Sequence, residues 1–270
     1  MSNKQIRVYI CGGMQYREYV NWLPNCTIVN NMKDANLVFF AGGEDVSPSL
    51  YGQVRNSHTY CDVRRDEREL YDFSVAQGLG LPCLCVCRGS QFICVMAGGS
   101  LVQDQTHQSY LHGMYLCEKG YQGDFNEEDM KMLKSQPQIM VTSSHHQAQY
   151  PFDMPKEDYE LLGYTINLSK YHVNGAGQEL NPPVEVEMCY YPKINALAIQ
   201  SHPEYVFGSY GKDKEVNNYI DACRRLVNSR LFGQQNDDKV PVADNIADKW
   251  KGWYEHHMKN LKNVEKEVEF

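Results

Sequence analysis

The sequence predicts an α/β domain built on a doubly wound, mostly parallel sheet with helices on both faces. Three observations carry this expectation. Short apolar runs recur along the chain, each long enough for one buried strand. Helix-spaced segments alternate with them, as a parallel sheet requires. Glycine pairs close several of the runs, where a chain leaving a buried strand must turn.

The elements follow in order. Ile6 to Cys11 is a first strand, ended by Gly12-Gly13, and Thr27 to Val29 a second. Leu37 to Ala41 is a third, ended by Gly42-Gly43. Asp66 to Leu79 has Leu70, Phe73 and Ala76 at helical spacing, with Gly78 and Gly80 as stop signals. Pro82 precedes the compact strand Cys83 to Cys87, and Arg88 to Ala97 reads as a helix stopped by Gly98-Gly99. Ile139 to Thr142, Val184 to Tyr191 and Ala196 to Gln200 are later strands, the last two forming a hairpin around Pro192 to Asn195. The polar, turn-rich stretches Glu118 to Pro137 and Pro151 to Pro183 read as rim loops or insertions.

The chain is expected to divide into a main α/β domain over residues 1–232, a linker over 233–242 and a C-terminal amphipathic helix over 243–270. In that helix Ile246, Trp250, Trp253, His257, Leu261, Val264 and Val268 form one stripe at spacings of three and four. Such a stripe more often completes a core than seals a dimer or receives a partner, so docking on the parent domain is expected.

Composition excludes some functions. A net charge of -8, with 26 basic against 34 acidic residues and no Lys/Arg run, argues against a general binder of nucleic-acid phosphates. No apolar run is long enough to span a membrane. Ten cysteines in 270 residues, with no signal peptide in view, read as reduced thiols in a cytoplasmic protein.

Chemistry concentrates at two strand ends. Cys87 stands where a buried strand runs directly into a helix. A sharp turn there lifts a nucleophile out of the sheet, and the helix N-terminus favours its thiolate. Gly89 is expected because a side chain would crowd the nucleophile. Cys83, Cys85 and Cys87 share one strand face, but metal-binding cysteines usually come in pairs separated by turns. A second buried strand opens into His202, with Glu204 two residues on across Pro203. An activated thiol needs a base and a group to orient that base; His202 and Glu204 supply both.

These segments together resemble the class I glutamine amidotransferases, and most closely their γ-glutamyl hydrolases, including γ-glutamyl-aminobutyrate hydrolases. The matching segments are Gly42 to Pro48, Tyr51-Gly52, Arg65 to Glu69, Cys87 to Gln91, Gly98 to Asp104, Ser144 to Gln147 and Ser201 to Glu204. The resemblance implies a flavodoxin-like fold and a Cys87-His202-Glu204 triad. It implies an oxyanion hole from the backbone amides of Gly43 and Arg88. It places Gln91, Ser144, His145 and His146 at the substrate, and Arg65, Asp66 and Glu69 in structural support of the pocket. His145-His146 could also suggest a metal, but no third ligand stands at metal-site spacing, so no metal and no cofactor are expected. The expected reaction is hydrolysis of a γ-glutamyl amide through a γ-glutamyl thioester. A glutaminase feeding ammonia to a separate synthetase is the alternative, and a non-catalytic binding or regulatory protein a second. The expected partners are a small γ-glutamyl substrate or glutamine, with a homodimer or a synthetase left open. Cys85 and Ser201 depart from the family's usual glycine and aromatic, and Pro151 to Pro183 is longer than usual. The tail from Gln234 is not covered by the resemblance.

Overall fold

The computed structural model of the chain describes residues 5–106, 111–166, 168–205, 214–233, 252 and 254–259. In chain order the strands are β1 (Ile6–Ile10), β2 (Cys26–Val29), β3 (Leu37–Phe40), β4 (Cys83–Val86), β5 (Ser100–Val102), β6 (Asp104–Gln105), β7 (Leu111–Tyr121), β8 (Gln138–Thr142), β9 (Ala148–Tyr150), β10 (Glu160–Thr165), β11 (His172–Val173), β12 (Glu185–Tyr191) and β13 (Ala196–Ile199). The α-helices are α1 (Val63–Gly78), α2 (Arg88–Met96), α3 (Glu127–Lys134) and α4 (Lys214–Leu226), the last running into a π-helical turn, Val227–Phe232.

Nine strands form one sheet in the order β2-β1-β3-β4-β13-β12-β10-β7-β8. The first five are mutually parallel, and each later neighbour is antiparallel to the one before. Only β12 and β7 therefore run against the rest, so the sheet is mostly parallel. The parallel half has the strand order of a flavodoxin-like sheet, in which ligands bind outside the carboxyl ends of the strands.

The core follows from side-chain alternation. Strands β3, β4 and β13 are buried at every position, as strands covered on both faces must be. Phe40, Cys85 and Ala198 pack on Leu70 and Phe73 of α1 and Phe92 of α2. Phe39, Leu84 and Leu197 point the other way, onto Tyr219, Cys223 and Leu226 of α4. Helices thus cover both faces. The β12–β13 hairpin turns through Asn195 at φ 46°.

The expected helix at Asp66 begins earlier, at Val63. Asp62 caps it, its carboxylate accepting from the Arg64 and Arg65 amides at 3.0 and 3.3 Å. The two stretches expected as loops are corrected by the structure. Glu118 to Pro137 contains the end of β7 and all of α3, which Asn126 and Asp129 start with a reciprocal capping box. Pro151 to Pro183 contains β10, an inner strand with five of six residues buried, and the short β11. The polar surroundings of Leu161 and Leu162 hide a strand whose partners, β7 and β12, lie far off in sequence.

Residues 254–259 are helical, and Tyr254 and Met258 pack against the α1 side of the core. His257 is half-buried. Residues 234–242 of the expected linker lie outside the described residues, as do Ile246, Trp250, Trp253, Leu261, Val264 and Val268 of the expected stripe.

Candidate active site

The carboxyl ends of β3, β4 and β13 converge, and each delivers one part of the site. Cys87 follows β4 at φ 54° and ψ -112°, a conformation that costs a residue with a side chain on the order of 1–3 kcal/mol. The turn is held from both sides. The Cys87 amide donates to the Ile199 carbonyl at 2.8 Å, and its carbonyl accepts from the Ser90 amide at 2.9 Å and the Ser90 hydroxyl at 2.6 Å. Gly89 is required for a different reason from the one expected. A Cβ there would lie 2.2 Å from the Phe40 carbonyl oxygen, so the obstacle is β3 and not the nucleophile.

His202 follows β13, and its imidazole lies close enough to the Cys87 side chain for the two to interact electrostatically. Its Nδ1 lies 2.6 Å from Glu204 Oε1, and both side chains are buried. Burial alone would lower the His202 pKa. The interactions with Cys87 and Glu204 outweigh it and carry the imidazole up to about 10. The His202 amide donates to Thr142 Oγ1 at 3.1 Å, anchoring the loop to β8. Tyr205 stacks on the imidazole with centroids 4.3 Å apart and planes within 8°. Tyr19 approaches at 5.9 Å. Sequence reasoning missed all three neighbours. Tyr205 had one signal, its place directly after Glu204; Tyr19 and Thr142 had none.

The third part is the loop after β3. Gly43 has φ 145°, and a Cβ on it would lie 2.0 Å from Arg65 Nη1. Arg65 donates to the carbonyls of Ala41 and Gly42 at 3.0 and 2.9 Å and to Glu44 at 2.7 Å. Its Nε donates to Glu69 at 2.9 Å. Glu69 also accepts from the fully buried Arg88 guanidinium, which donates to Asp66 as well. Asp66 in turn accepts from the Ser47 amide at 3.1 Å. One flank of α1 therefore fixes both the Gly42-Gly43 loop and the start of α2. Arg88 is the first residue of α2, where an N–H has no helical acceptor and faces outward from the helix.

Of the residues expected at the substrate, Gln91 is buried and donates to the Gln147 carbonyl at 2.9 Å. This ties α2 to the 144–147 segment. Ser144 is exposed. His145 folds back, its Nδ1 2.8 Å from the Gln147 carbonyl. His146 spans the rim, its Nε2 3.2 Å from Asp45 and its Nδ1 3.5 Å from Asp104. The hydrogen bond to Asp45 leads the causes that raise the His146 pKa. The histidines thus serve different neighbours. Among the described residues no group of three His, Cys, Asp or Glu side chains could hold a metal ion. Nor is any described helix long and apolar enough to cross a membrane.

Comparison with known proteins gives concordant relatives. The profile of the family described as Peptidase C26 matches residues 23–160. A glutamine amidotransferase-like protein of Lactococcus lactis, YvdE, is 28% identical over 194 residues, covering 70% of this chain and 74% of that one. Protein NtpR of Enterococcus hirae is 39% identical over 70 residues, covering 26% of this chain and 29% of its own. Among solved structures, a glutamine amidotransferase from Thermotoga maritima covers 97% of this chain and 98% of its own, with 12% identity and a TM-score of 0.44.

Proposed function

This chain belongs to the peptidase C26 family, and on that premise we propose that it hydrolyses a γ-glutamyl amide through a γ-glutamyl thioester. The observation that carries the reading is the buried Cys87–His202–Glu204 contact at the converging strand ends. The Cys87 sulfur, its proton passed to His202, attacks the γ-carbonyl carbon, and the carbonyl π electrons move onto oxygen. The amides of Gly43 and Arg88 receive that oxyanion, an interaction worth about 3 kcal/mol per donor. The tetrahedral adduct collapses, the C–N bond breaks, and His202 gives its proton to the departing nitrogen. Water then attacks the thioester with His202 as base. This releases the γ-carboxyl group and returns the thiol. Glu204 keeps the imidazole oriented and offsets its positive charge.

The test is turnover by the purified chain alone. At least one γ-glutamyl amine should release its amine without a partner, and Cys87→Ala should abolish this. Turnover of glutamine only after a synthetase is added would replace the hydrolase reading with a glutaminase subunit. Wild-type turnover persisting in Cys87→Ala would overturn the thioester.

A further inference from the structure

A cavity of about 570 Å³ lies apart from the catalytic centre, between β1, β2, α1 and the 254–259 helix. Two helical faces make it. Glu67 and Tyr71, and Arg68 and Asp72, stand four residues apart on α1, away from the flank that carries Arg65 and Glu69. Left bare, this would be an ordinary solvated helix face. Tyr254 and Met258, also four apart, come over it instead, with the Tyr254 ring 6.3 Å from that of Tyr71 in an edge-on contact. Tyr9 of β1 supplies a third phenol ring. The cleft is open on one side, and its volume falls in the range of small-ligand pockets, about 300–1,000 Å³.

The lining selects the ligand's charge. Two carboxylates, Glu67 and Asp72, face one guanidinium, Arg68. Among the described residues neither carboxylate lies within ion-pair distance of a basic side chain. Burial pushes the Asp72 carboxyl up to about 6, by more than the Arg68 charge lowers it. An anionic ligand would meet two like charges. A neutral apolar ligand would strip water from both carboxylates and return nothing. A cation would pair with them while its alkyl part and charge met the phenol faces, as in aromatic cages that bind ammonium groups. We propose that this cavity binds an organic ammonium ion, a short alkylamine, at a site distinct from Cys87. The acyl chemistry of the catalytic centre is not required for it.

Calorimetric titration of the full chain with butylammonium chloride tests this, with 1-butanol and sodium butyrate as neutral and anionic controls. Saturable binding of the ammonium alone is expected. Asp72→Asn and Tyr71→Ala should each weaken it roughly tenfold, while Cys87→Ala should bind as the wild type does. Melting temperatures of the variants establish that each is folded, and Tyr71, 56% exposed, is a tolerant position. Absence of saturable butylammonium binding would overturn the proposal. So would unchanged binding in both Asp72→Asn and Tyr71→Ala, or loss in Cys87→Ala, which would assign the ammonium to the catalytic centre.

Discussion

At the scale of single residues, the cysteines differ in their surroundings. Burial pushes up the thiols of Cys83 and Cys94, each to about 12, and raises those of Cys85 and Cys189 as well. Cys87 instead stands at a helix N-terminus with an imidazole against it. Brief treatment with iodoacetamide at neutral pH should therefore label Cys87 ahead of these four, as peptide mapping would show. The His202 pKa also sets a stability profile. A folded value near 10 against an ordinary 6.5 means that its contribution is complete below pH 6.5 and is lost as pH rises to about 10. Melting temperature should fall across that window in the wild type and be flatter in His202→Ala. Tyr205 lies flat on the His202 imidazole. Its replacement by alanine should lower kcat about tenfold with little change in KM, and phenylalanine should restore most of it.

At the scale of elements, α1 does two jobs on two flanks. Glu69 joins Arg65 to Arg88, so Glu69→Ala leaves two buried guanidinium groups underpaired. It should cost about 3–5 kcal/mol in urea unfolding. Glu67→Gln, on the other flank, should stay within about 0.5 kcal/mol. The same contrast shows what the sequence could reveal. Elements of the parallel half were legible because buried strands are continuous apolar runs, with Cys87 directly after β4 and His202 three residues after β13. Of the antiparallel half, β8 and β12 were legible as apolar runs, but β7 and β10 were not. β7 alternates exposed and buried residues, and β10 is six residues within a polar stretch, with bulged registers against both neighbours. The pairing of β10 with β7 and β12 depends on tertiary context that local pattern does not carry. Nor could the sequence show that the Gly89 position is set by the Phe40 carbonyl, since that contact joins residues 49 apart.

At the scale of the whole molecule, the chain returns on itself at its end. Tyr254 and Met258 reach back to α1, and the cavity beneath them has no other cover from the C-terminal side among the described residues. Truncation after Asp238 should lower the melting temperature and abolish butylammonium binding. The triad contact stays intact in the shortened chain, so hydrolysis should persist. Differential scanning fluorimetry and an amine-release assay on the same preparation would measure both.

The place of β13 has a consequence in time. It is a central strand, between β4 and β12, yet it begins at residue 196. During synthesis β3 and β4 emerge more than a hundred residues before it. Until β13 arrives, the Cys87 amide lacks the Ile199 carbonyl that holds the turn, and the thiol lacks His202 altogether. The Thr142 anchor for the His202 amide must also be in place on β8, four strands away in the sheet order. Closing such distant pairings is slow compared with forming helices. A nascent chain would therefore carry Cys87 without its partner over more than a hundred residues of synthesis, and on refolding the return of hydrolysis should lag the return of helical signal.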